Sequence, residues 1–143
     1  MRIRPAEPGE REALEDLQRR ASLALPDYRA QLQAHPDAIH LPAEQLVLGQ
    51  VHAAEEDGRL LGFAAVIMSE GRAELDGLFV EPELWGHGIG RSLVDHATHE
   101  ARNKGLTLSV VASPSARGFY EKCGFAIEGE AETRFGPALR MSR

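Results

Sequence analysis

The sequence of 143 residues has a single cysteine, a single tryptophan, no long apolar run and no excess of positive charge. The lone Cys123 rules out an internal disulfide framework. No stretch is apolar and long enough to cross a bilayer as a helix. The opening Met1-Arg2-Ile3-Arg4-Pro5 lacks the apolar stretch of a secretion signal. Together these absences predict a cytoplasmic protein with no membrane partner. The formal net charge is −6. Nucleic-acid binding needs a basic face that displaces counterions, so that function class is not expected. A negative field still allows a local basic pocket for a phosphate ligand, and it favours a cationic substrate such as an amine. Repeats and low-complexity segments are also missing.

What is present suits one packed domain spanning residues 1–143. Hydrophobic residues make up 43% and charged residues 27%, enough for one core and an ordinary polar surface. A strand is predicted over Arg2–Arg4, ended by Pro5. From about Gly9, the residues Ala13, Leu14, Leu17, Ala21, Ala24 and Leu25 recur at helical spacing until Pro26 stops the pattern. A short second helix is predicted from Tyr28 to about His35. The segment Asp37–Gln45 reads as irregular.

The period then changes to that of strands. Gln50–Glu55, Leu60–Met68 and Ala73–Val80 form a predicted antiparallel meander, joined by Asp57-Gly58 and Glu70-Gly71. A helix follows from about Gly88 to Asn103, with Gly105 at its end. Leu106–Ala112 is almost wholly apolar and reads as a strand buried on both faces. A short helix through Cys123 comes next, then strands over Phe125–Glu130 and Arg134–Met141, the last interrupted at Gly136-Pro137. The order is β, α, α, β, β, β, α, β, α, β, β, a mixed α/β domain around one central sheet.

The informative stretch is Leu78-Phe79-Val80-Glu81-Pro82-Glu83-Leu84-Trp85-Gly86-His87-Gly88-Ile89-Gly90-Arg91. Here a strand runs into a turn with glycine at alternate positions, and the turn opens a helix. Glycine permits positive φ and close approach of a ligand to the backbone. The first N–H groups of the helix, with its dipole, then form an anion site, and Arg91 and His87 are candidates to add charge. The plainer alternative is a tight connection in which glycine only relieves crowding. No Gly-Lys-Ser/Thr follows, so this is not a Walker loop. The spacing Gly86-x-Gly88-x-Gly90 is also not the dinucleotide fingerprint.

The stretch resembles the pyrophosphate loop of the GNAT superfamily of N-acetyltransferases, Gln/Arg-x-x-Gly-x-Gly/Ala, at Gly88 and Gly90. Trp85 stands where that family has Gln or Arg. A second run, Ala116-Arg117-Gly118-Phe119-Tyr120-Glu121-Lys122-Cys123-Gly124-Phe125, is similar to the family's Ala-x-x-Phe-Tyr-Glu-Lys-x-Gly-Phe motif. Ser113 occupies the place of its frequent Asn. The order of elements agrees from end to end.

The resemblance implies a central, mostly antiparallel sheet of about seven strands, flanked by about four helices and splayed between the fourth and fifth strands. It implies an N-acetyltransferase that uses acetyl-CoA and a primary amine of a small molecule or a protein, by direct attack in a ternary complex. The cofactor would lie on Leu78, Phe79 and Val80 by their main-chain groups, on Gly86, His87, Gly88, Ile89, Gly90 and Arg91 by the loop, and beside Ser113. No metal is implied. Homodimers are common in that family, although no motif here shows one.

Amine attack needs a proton acceptor, either a base or a water chain, and thiolate departure is eased by a proton donor. Strand alternation is expected to put Glu74, Asp76, Leu78 and Val80 on one face. Glu74 and Asp76 are both candidate bases, not separable from the sequence; the alternative is that both are simply solvated. Tyr120 matches the tyrosine that often serves as the acid, against a purely packed aromatic. Cys123 has no obvious base partner and reads as a buried thiol. His96 and His99 are too few for a zinc site and read as a solvated helix face. A rival reading of the whole chain is a non-catalytic acyl-CoA-binding module on the same fold. A second rival is a structural domain with no affinity for CoA.

Overall fold

The computed structural model describes all 143 residues. Seven strands are present: β1 (Arg2–Pro5), β2 (Val51–Glu56), β3 (Arg59–Ser69), β4 (Arg72–Val80), β5 (Leu108–Ala112), β6 (Ala126–Thr133) and β7 (Gly136–Ser142). Five helices accompany them: α1 (Arg11–Ala24), α2 (Arg29–Ala34), α3 (Ala43–Val47), α4 (Ile89–Asn103) and α5 (Arg117–Lys122). The strands form one sheet in the order β1-β2-β3-β4-β5-β7-β6. Every neighbouring pair is antiparallel except β4 and β5. No helix is long and apolar enough to cross a membrane.

The sheet is covered on both faces. Leu93, Val94, Ala97 and Ala101 of α4 pack on Ala64, Val66, Leu75, Leu108 and Val110. On the other face Leu14 and Leu17 of α1 pack with Val51, Ala53, Phe63 and Ala65. Leu14 and Leu17 are fully buried, and each such leucine contributes about 1.5–3 kcal/mol. Apolar residues at helical spacing on α1 and α4 therefore do what the pattern predicts: each helix presents one stripe to the sheet. At the Asp57-Gly58 turn both residues have positive φ, 50° and 79°, the geometry that matches the twist of a two-residue hairpin.

Four details depart from the sequence expectation. The segment read as irregular contains α3, so there are five helices and not four; Pro42 stands at its N-cap position with extended backbone, where proline does not interrupt a helix. The fifth strand begins at Leu108 and alternates: Leu108, Val110 and Ala112 are buried while Ser109 and Val111 are half-covered. The final hairpin turns at Arg134-Phe135, and Gly136, with φ 137°, opens β7 instead of interrupting it. The turn is held by the Thr133 hydroxyl, which donates to the Gly136 carbonyl at 2.8 Å.

The fourth departure lies in β4. Ala65 pairs with Gly77, but Val66 pairs with Leu75, so Asp76 is an extra residue, a β-bulge. A bulge shifts alternation by one pleat. Ala73 and Leu75 before it, and Leu78 and Val80 after it, all pack in the α4 layer. Glu74 therefore does not share a face with Leu78 and Val80, contrary to simple alternation. Phe79 turns to the α1 layer, its ring 5.3 Å from that of Phe63.

Candidate active site

Strands β4 and β5 pair at only three positions, Ala73–Leu108, Glu74–Ser109 and Leu75–Val110. Beyond Leu75 they part, and β4 continues to Val80 with no strand on that side. The gap opens into a cleft of about 690 Å³. Its walls include the splayed ends of both strands, the start of α4 and the inner side of α5.

One wall of the cleft is main chain. The first bond inside α4 runs from the Ser92 N–H to the Gly88 carbonyl, 3.0 Å. None of the N–H groups from Gly86 to Arg91 donates to an acceptor in the protein. Gly86 and Gly88 have φ of 85° and 82°, and a side chain on either would meet nothing within 4 Å. Glycine is needed there for conformation, and the amides stand free at the positive end of a 15-residue helix, an arrangement suited to phosphate oxygens. Gly86, Gly88, Ile89, Gly90 and Arg91 all border the cleft. His87 does not; its Nδ1 turns back to the loop, 3.0 Å from the Leu84 carbonyl and 3.2 Å from that of Trp85. Gly90 is crowded instead: a Cβ there would lie 3.1 Å from the Phe119 ring.

The free edge of β4 forms the adjoining wall. The Glu81 N–H donates to the Leu61 carbonyl at 2.9 Å. Antiparallel ladders alternate, so Phe79 turns its main-chain groups to β3, whereas Leu78 and Val80 turn theirs to the gap. The Val80 carbonyl is already engaged, accepting from the Trp85 indole N–H at 2.9 Å. Of the three residues the sequence proposes for main-chain contact, Leu78 and the Val80 N–H are open and Phe79 is not. Trp85 thus ties the glycine loop to the end of the strand. The sequence offers no sign of this tie, because a bond between an indole and a main-chain carbonyl leaves no motif.

Across the gap stand Ser113 and α5. The Tyr120 ring is 7% exposed and sits edge-on to Phe119 and Phe125, with centroids 5.1 and 5.3 Å away. Its hydroxyl has no partner in the protein, yet no buried polar side-chain atom is left unpaired, so the hydroxyl reaches the open cleft. Burial pushes the Tyr120 phenol well above its ordinary value, with a smaller push from Cys123. Cys123 is itself buried, and burial raises its thiol too, which makes it a poor nucleophile.

The two candidate bases separate. Asp76, set apart by the bulge, lines the cleft and accepts from the Gln45 amide at 3.1 Å. Glu74 is exposed and does not line it. The far mouth is framed by the α1–α2 connection. Asp27 accepts from the Ser115 N–H at 2.9 Å, and the Tyr28 hydroxyl donates to the Pro137 carbonyl at 2.8 Å. His35 stacks on Phe135, and Arg134 pairs with Asp37. Three of these links run from the α2 region to the β6–β7 hairpin and the fourth to the turn before α5, and together they form an arch over the mouth.

The fold has counterparts among known proteins. A Thermoplasma acidophilum PaiA N-acetyltransferase, solved with coenzyme A, matches 99% of this chain and 97% of its own, with a TM-score of 0.81 at 21% identity. The solution structure of apo YjaB from Escherichia coli matches 99% of this chain and 95% of its own, with a TM-score of 0.68 and 27% identity. In sequence, a 5-NmdU N-acetyltransferase of Pseudomonas phage PaMx11 is 36% identical over 95 residues, 64% of this chain and 67% of the phage protein. The peptidyl-lysine N-acetyltransferase YjaB of Salmonella typhimurium is 44% identical over 59 residues, 41% of this chain; the match spans 39% of the relative's length. The pattern of the acetyltransferase (GNAT) family matches residues 11–125. That span holds the free amides, the splayed strands and Tyr120 together, and the chain belongs to the acetyltransferase (GNAT) family.

Proposed function

We propose that this chain is a single N-acetyltransferase domain over residues 1–143, which moves the acetyl group of acetyl-CoA to a primary amine by direct attack in a ternary complex. The observation that carries the proposal is the row of unengaged amides from Gly86 to Arg91 at the mouth of a cleft made by parting strands. Relatives solved with coenzyme A on the same fold support it.

The amides and Arg91 hold the diphosphate of the cofactor, and the open main-chain groups of Leu78 and Val80 guide its pantetheine arm. Ser113 stands across from them. The thioester, which supplies the activated acetyl group, is thereby directed to the point where β4 and β5 separate, beside Asp76. Asp76 takes a proton from the incoming ammonium, directly or through water, because only a neutral amine attacks. Its place in the cleft favours it over Glu74. The amine nitrogen bonds to the acetyl carbon, an N–H near the bulge stabilises the oxyanion, the C–S bond breaks, and the nitrogen gives its second proton to water to leave a neutral amide. The Tyr120 hydroxyl gives the departing sulfur its proton and is reprotonated from solvent; its raised phenol value keeps that proton in place at neutral pH. The acceptor enters under the arch, where Asp27 and Asp76 favour a cation.

The test has two stages. Acetyl-CoA at a hundredfold excess over Kd is expected to raise Tm by about 8 °C. A panel of small primary amines and lysine peptides is then assayed for acceptor-dependent free thiol. No shift at saturating acetyl-CoA refutes the proposal. A shift with no thiol release for any amine supports the non-catalytic module instead.

A further inference from the structure

A second cluster of chemistry-bearing side chains lies away from the cleft, where β2 crosses α4. His96 and Glu100 are four apart on α4 and so share a face. His52 projects to the same spot from β2. Its Nε2 is 3.4 Å from Glu100 Oε1, and His96 Nε2 is 3.8 Å from that same oxygen. The imidazole centroids are 4.7 Å apart. One ligand atom from each of the three residues lies within 4.8 Å of the others. None of the three residues takes part in the acetyl-transfer site, and no local sequence motif pairs His52 with His96; the sheet topology alone brings them together.

Neither histidine makes a hydrogen bond to the glutamate, since both separations exceed normal hydrogen-bond length. They suit a metal better. Ligand atoms about 2.0–2.2 Å from one zinc stand about 3.3–3.6 Å apart in a tetrahedron. The two separations from Glu100 are at or near that value, and the third edge, from His52 to His96, is within 4.8 Å. The donor set of two imidazoles and one carboxylate is chemically a zinc set with one open position. All three side chains are partly exposed, 15%, 30% and 36%, so an ion has a path in. The open side gives onto a depression of about 500 Å³ bordered by Gln50, Asn103 and Lys104.

We infer that His52, His96 and Glu100 form a binding site for one divalent transition ion of zinc's class, which clips β2 to the C-terminal half of α4. Glu100 lies about 18 Å along the helix from Gly88, so the ion does not touch the acetyl-CoA cleft. Its effect is to fasten the helix whose other end carries the free amides.

The test is calorimetric titration of zinc chloride into the full-length protein at pH 7.5 in a non-chelating buffer. One ion per chain is expected, bound at micromolar Kd or tighter. His96→Gln and Glu100→Gln, both at half-buried positions, are each expected to weaken binding at least tenfold while acetyl-CoA still raises Tm as in the parent. Cobalt(II) is expected to give the intense visible bands of a four-coordinate site, lost in His96→Gln. Absence of a one-to-one event overturns the inference. So does a zinc isotherm unchanged in both variants, which would place the ion on other residues.

Discussion

Tyr120→Phe separates chemistry from architecture in this fold. The ring is held edge-on between Phe119 and Phe125, and phenylalanine keeps that packing. The hydroxyl bonds to nothing in the protein, so its removal breaks no hydrogen bond. Taking a hydroxyl from a largely enclosed aromatic site is neutral or slightly favourable. The expected change in Tm is within about 2 °C. The rate behaves differently. General acids contribute about 10²–10⁴ in rate, and a thiol with a pKa of about 8.5 needs less help than most leaving groups. We therefore expect kcat to fall by about 10–100-fold, or about 1.4–2.7 kcal/mol of barrier, with KM for acetyl-CoA changed less than threefold. The assay is thiol release at saturating amine, with Tm from a thermal melt. Because the phenol's proton is held above its ordinary value, the ratio of parent to variant kcat should stay constant from about pH 6 to 9. A kcat within twofold of the parent would refute the acid role. A Tm drop of more than about 5 °C would show that the hydroxyl is structural.

Further predictions concern the base, the loop and acid stability. Asp76→Asn is expected to lower kcat at least tenfold at pH 7 and to recover part of it as rising pH deprotonates the free amine, whereas Glu74→Gln stays within twofold; equal losses would undo the distinction drawn by the bulge. Trp85→Phe removes the bond to the Val80 carbonyl, worth about 0.5–1.5 kcal/mol, and should weaken acetyl-CoA binding by about two- to tenfold in a calorimetric titration. Glu10 bonds to Arg4, and Glu15 accepts from the Leu41 N–H at 3.0 Å; each contact holds its carboxyl below the usual value of 4.5. The stability these two supply is complete above that value and is lost as pH falls through the lower folded values. The slope of Tm against pH below about 4.5 should thus be shallower in Glu15→Gln than in the parent.

What the sequence revealed was whatever local chemistry dictates. Glycine at 86 and 88 is required by turn geometry, and the stripe from Ile89 to Ala101 by burial, so the loop and its helix were legible within a residue. The meander followed from Asp57-Gly58 for the same reason. What stayed hidden depends on partners far away in the chain. The extra residue at Asp76 is set by register against Ala65 and Val66, and alternation alone put Glu74 on the wrong face. The Trp85 bond reaches a carbonyl five residues back that only a strand edge presents. The arch from Asp27 and Tyr28 meets Ser115 and Pro137 across 88 and 109 residues. His52 and His96 belong to different elements and have no shared spacing to betray them.

The three rungs joining β4 to β5 have a mechanical consequence. Four strands lie to one side of that seam and three to the other, so the molecule behaves as two panels stitched along a short edge and braced by α4. On the proposed function, a molecule lodged in the wedge would be a structural member as well as a reactant, stiffening the two panels against each other for as long as it stays. Departure of the spent carrier would loosen the seam, so the same event that ends one turnover would also ready the panels to part for the next occupant.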